Sequence, residues 1–123
     1  MSYTPFAAPI LSGLLADEKI TKLFSIREEL ETMIAIEGAL TLSQAKAGIA
    51  PEAAAQAIMN ALSDFEPSLQ KISEATAIDG VVVPELVRQI RDHVGAPHNT
   101  HIHFGATSQD IIDTSLVLRL REC

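Results

Sequence analysis

The run from His103 to Ser115, HFGATSQDIIDTS, gathers a histidine, hydroxyls, an amide and two carboxylates around one glycine. It then turns apolar with helical spacing at Ile111, Ile112 and Leu116. A helix starting near Thr107 leaves its first backbone N–H groups without partners and carries a partial positive charge there. Gly105 lets the backbone turn sharply just ahead of it. Thr107 and Ser108 add hydroxyl donors at the same end, so the stretch suits a carboxylate or a phosphate. A plainer role also fits: Thr107 as N-cap, with Asp110 three residues on as its capping-box partner. The two roles coexist, because capping occupies one hydroxyl and leaves the other free. Asp110 and Asp113 are three apart and can share a helix face, a spacing open to metal binding or acid–base work. For Asp113 a hydrogen bond to a neighbouring loop or partner subunit is the preferred role, with Thr114 beside it as part of the helix start.

Three histidines precede this run, and His98, His101 and His103 form His-x-x-His-x-His. That pattern is compatible with a metal site. The loop has no Cys, however, and no acidic residue lies between His93 and Asp110, so no metal is expected. His103, two residues before Gly105, can contact a substrate carboxylate or move a proton near neutral pH. Its plainer role is a polar loop residue bonded to backbone. In an extended segment His101 and His103 fall on one side and Ile102 on the other. Arg27 is expected to pair with Glu31 one helical turn on. No GxSxG, P-loop, GxGxxG or Cys/His nucleophile pair is present.

These groups need a scaffold, and composition points to an all-α one. Of 123 residues 47% are apolar but only 4% aromatic, with no Trp, so the core is aliphatic. The length is that of one domain. The net charge of −7 and the lack of a basic stripe disfavour nucleic-acid and anionic-membrane partners. The single Cys123 excludes an internal disulfide and fits a reducing, cytoplasmic setting. No run approaches a membrane span. Residues 1–15 are apolar but lack the basic region of a signal peptide, and are expected to form an irregular docking arm.

Asp17 is expected to cap a short helix through Phe24, and Ser25 with Glu28 to open a long one as a capping box. That helix runs to about Ala47 and ends at Gly48. Pro51 opens a third helix, 51–65, with Ala57, Ile58, Ala61, Leu62 and Phe65 inward. Pro67 starts a short helix with Leu69 and Ile72 inward. Val81–Val83 is compatible with strand but has no partner segment, and Pro84 starts a helix striped by Leu86, Val87, Ile90 and Val94. Residues 95–105 are predicted as loop. The last helix begins near Thr107, and its apolar pattern still runs at Cys123. The expectation is therefore a fragment: an N-terminal helical domain, 1–106, then the start of a longer bundle helix, 107–123.

HFGATSQDIIDT resembles a block of the fumarase/aspartase superfamily. Residues 30–58, LETMIAIEGALTLSQAKAGIAPEAAAQAI, are similar to its N-terminal helix pair. Gln109, Ala106 and the form GVVVPELV resemble the 3-carboxy-cis,cis-muconate lactonizing branch. Adenylosuccinate lyases carry another small hydroxyl residue in place of Gln109 and a His-Asp pair where this chain has Gly80-Val81. The resemblance implies a cofactor-free cycloisomerisation in aromatic (protocatechuate) catabolism. A carboxylate of a tricarboxylate diene adds to a double bond and a proton goes to carbon. It implies a homotetramer acting on a small polycarboxylate, with Thr107, Ser108, Gln109, His103 and His101 contacting substrate. Asp110, Asp113 and Thr114 are structural. The catalytic histidine and serine loop are expected beyond residue 123, so the chain alone is expected to be inactive. The alternatives are a fragment of an adenylosuccinate lyase-like or other fumarate-releasing lyase, and a non-catalytic all-α interaction module.

Overall fold

The computed structural model describes residues 4–123, which form seven α-helices and one 3₁₀ turn, with no strand among them. The helices are α1 (Ser12–Leu15), α2 (Glu18–Leu23), α3 (Ile26–Lys46), α4 (Glu52–Leu62), α5 (Leu69–Asp79), α6 (Val83–Val94) and α7 (Ser108–Arg121). The fold is the all-α architecture expected.

The long helix α3 is the axis, at 21 residues about 30 Å long. It packs against α4 on one side and α7 on the other, while α6 closes the bundle against α4, α5 and α7. The shared core is aliphatic: Leu30 and Met33 from α3, Ile58 from α4, Ile72 from α5, Leu86, Val87 and Ile90 from α6, and Ile111 from α7. Gly38 lets α3 and α4 approach closely. A Cβ built there would stand 3.0 Å from the Met59 sulfur and 3.1 Å from a Leu62 methyl. The α3–α7 seam is polar at one point, where the Thr32 and Ser115 hydroxyls meet at 2.5 Å. Next to it Arg119, 6% exposed, lies 5.3 Å from the Phe24 ring centroid and 3.9 Å from Glu29.

Helix ends follow their capping residues. Asp17 accepts from the Ile20 N–H, and Gly80 ends α5 in the left-handed region at φ +79°. Several expectations change in detail. Ser25 accepts from the Glu28 N–H, but only that half of the anticipated capping box forms. The helix expected over 51–65 is α4, which stops at Leu62, so Phe65 packs on the core from beyond its end. The fifth starts from a Ser68 cap instead of Pro67, which turns Leu69 outward to 52% exposure. Within the expected irregular arm, Ser12–Leu15 makes one helical turn, and residues 1–3 lie outside the described residues. Residues 81–83 form no strand; Val83 opens α6 and is buried.

Leu86 is fully buried where α6 meets the shared core. Leu86→Ala is expected to lower the unfolding free energy by about 2–5 kcal/mol, read by urea denaturation.

Candidate active site

The loop before α7 is not extended. His98–His101 forms a 3₁₀ turn that packs against α4 and α6. The chain then reverses at His103, whose φ of 59° is the one positive value among described non-glycine residues. A side chain in the left-handed region costs on the order of 1–2 kcal/mol, so surrounding contacts must hold it there. Two helices supply them. From α6, Arg91 donates to the Ile102 carbonyl at 2.9 Å. From α3, Gln44 donates to the Phe104 carbonyl at 2.6 Å, and Glu37 meets His103 Nδ1 at 2.6 Å. Ile102 plugs the core at 1% exposure. The reversal also separates His101 from His103. They do not share a face as in an extended segment, and the His101 side chain makes no hydrogen bond with any described residue.

After Gly105, at φ +74°, the chain enters α7 through a complete capping box. The Thr107 hydroxyl accepts from the Asp110 N–H, and Asp110 Oδ2 accepts from the Thr107 N–H at 2.8 Å and from its hydroxyl at 3.1 Å. The Thr107 side chain is thereby committed to Asp110. Ser108, half-buried at the first helical position, keeps its hydroxyl free of any described partner. Gln109 donates to Asp113 at 2.6 Å, so Asp113 bonds within its own helix rather than to a loop. Thr114 donates back to the Asp110 carbonyl. Among described residues no three His, Cys, Asp or Glu side chains gather as metal ligands.

Two carboxylates of this region are shifted in opposite senses. The Thr107 N–H and hydroxyl hold Asp110 below its ordinary value, with the nearby His103 adding to the effect. Burial pushes Glu37, 1% exposed, above its ordinary value, while the hydrogen bond and charge of His103, and the charge of Arg91, partly offset this. Glu37, Gln44 and Arg91 were not singled out from the sequence. A signal for Glu37 does exist: it falls four residues after Met33 and seven after Leu30, on the apolar stripe of α3.

Residues 13–123 of this all-α chain match the family model described as "Lyase". The chain belongs to that family. It is 31% identical over 117 residues to the 3-carboxy-cis,cis-muconate cycloisomerase of Bradyrhizobium diazoefficiens, covering 93% of this chain and 26% of that protein. It is 31% identical over 104 residues to the adenylosuccinate lyase of Methanocaldococcus jannaschii, covering 85% and 22% respectively. The crystal structure of a fumarate lyase from Mesorhizobium sp. BNC1 superposes with a TM-score of 0.83 at 38% identity, over 86% of this chain and 25% of that one. The chain thus spans about a quarter of the length of the relatives it matches.

The lowered Asp110 value fixes a pH dependence. Its capping contribution is fully present above about pH 4, the unfolded value, and is lost as pH falls through the lower folded value. Urea melts from pH 7 to pH 2.5 should show this acid-side loss, and Asp110→Asn should remove that component. Thr107→Ala, tested at pH 7, is expected to cost about 0.5–2 kcal/mol.

Proposed function

We propose that the chain is the N-terminal, carboxylate-holding part of a 3-carboxy-cis,cis-muconate cycloisomerase. The observation that carries this reading is the start of α7, where a free Ser108 hydroxyl sits beside the complete Thr107–Asp110 cap. Because Asp110 satisfies the cap, the Ser108 hydroxyl and the remaining helix-start N–H groups are left to a ligand. His103, held on the adjoining loop, adds a nitrogen donor that can carry charge. An acidic chain has to assemble such a locally positive spot from N–H groups and an imidazole.

In the proposed reaction one carboxylate of the tricarboxylate diene adds to a double bond and closes the lactone. A proton reaches the neighbouring carbon. No cofactor is required. The residues here hold and orient the carboxylates, which favours ring closure by fixing the attacking oxygen near the alkene. Thr107 acts through the cap, and Gln109 presents an amide steadied by Asp113. His101, on its separate turn, is the outermost of the proposed contacts. The groups that deliver and take the proton are proposed to lie outside this chain. The exposed Leu116, Val117, Leu118 and Leu120 of α7 support a bundle neighbour for that helix, within a cytoplasmic homotetramer.

The runner-up is a fumarate-releasing lyase of the adenylosuccinate type, favoured by the matching relative. Gln109 and Gly80-Val81 favour the cycloisomerase. The protein encoded by the complete reading frame carrying this sequence should turn over 3-carboxy-cis,cis-muconate and not adenylosuccinate. Turnover of adenylosuccinate alone would reverse the assignment. In that protein Ser108→Ala is expected to raise KM about tenfold with a smaller change in kcat.

A further inference from the structure

Three costly features coincide at one contact. His103 sits at φ 59°, Glu37 is a carboxylate at 1% exposure, and Glu37 Oε2 is buried with no hydrogen-bond partner. Each is unfavourable by itself. An apolar residue at position 37 would complete the α3 stripe at no such cost. What the arrangement achieves is a single 2.6 Å hydrogen bond between His103 Nδ1 and Glu37 Oε1. The His103 side chain keeps 16% of its surface exposed, and its Nε2 has no described partner.

We infer that Glu37 is a positioning residue for His103: it accepts the Nδ1 proton from inside the bundle, fixes the ring's tautomer, and leaves Nε2 as the nitrogen available to an anionic substrate group. This deepens the carboxylate-binding role proposed for His103 and rests on it. A histidine ligand held by a carboxylate behind its other nitrogen is oriented and tautomerically fixed in the same way in metal sites. Here a second proton, when taken up, can reside only on Nε2, giving a charged donor with Glu37 as buried counter-charge. Two other charged groups face this pair. Arg91 from α6 also anchors the Ile102 carbonyl, and Asp110 from α7 is engaged by its cap. Neither competes for Nδ1.

The tautomer is read directly from the ring ¹⁵N shifts of ¹⁵N-histidine-labelled chain, with the His103 signals assigned by their loss in His103→Asn. Above the pH at which the ring loses its second proton, wild type should carry its proton on Nδ1. Glu37→Gln keeps an acceptor oxygen and should preserve that state. Glu37→Met removes the acceptor and should shift the proton to Nε2. A wild-type ring protonated on Nε2 overturns the inference without any variant. In the complete enzyme, Glu37→Gln should leave KM within about threefold, while Glu37→Met should raise it about tenfold. An unchanged KM in a folded Glu37→Met enzyme also overturns it. The tautomer needs no substrate, so a failed cycloisomerase assay and a failed positioning role give different results.

Discussion

A carboxylate cannot be sealed inside an aliphatic bundle without something that binds it, and Glu37 is sealed to 1% exposure. Its partner is a loop residue 66 positions later in the chain. That bond joins the scaffold to the loop, so the helix that organises the core also organises the site. Along α3, Met33 and Leu30 face the shared core, while Glu37 and Gln44, seven residues apart, face the His103–Phe104 loop. One rigid helix therefore sets two surfaces at once. A shift of α3 large enough to disturb the core would also release the loop.

Electrostatics makes the same division. The chain has seven more formal negative charges than positive ones. The carboxylates it is proposed to hold would be opposed by the long-range field and need stabilising at short range. At the start of α7 the short-range sources are backbone N–H groups, one spare hydroxyl and one imidazole. Asp110 is itself a carboxylate at this helix end, and its bonds to Thr107 turn it into the cap.

The helices were legible because their signals are local. Asp17, Ser25, Gly48 and Thr107 each act on backbone within three or four residues, and each is found capping or ending the helix expected of it. The start of α7 was read down to the Thr107–Asp110 pair for that reason. What escaped depends on contacts distant in sequence. Nothing around residue 103 indicates a left-handed backbone, because the stabilising partners lie at residues 37, 44 and 91. The inward placement of Leu69 failed because α5 is capped by Ser68, one residue after the proline taken as its start. Glu37 was not singled out, although a charged residue on the apolar stripe of α3 is a local signal; its partner left none.

The hydroxyl contact between Thr32 and Ser115 has a mechanical consequence. Ser115 lies seven residues after Ser108 on an uninterrupted helix, about 10 Å along its axis. The depth at which α7 seats on α3 is therefore gauged two turns from the Ser108 hydroxyl and carried there by a stiff rod. A small side chain at that gauge lets the two backbones close, whereas a larger one would act as a shim. The position of Ser108 is thus tuned by residues two turns away from it.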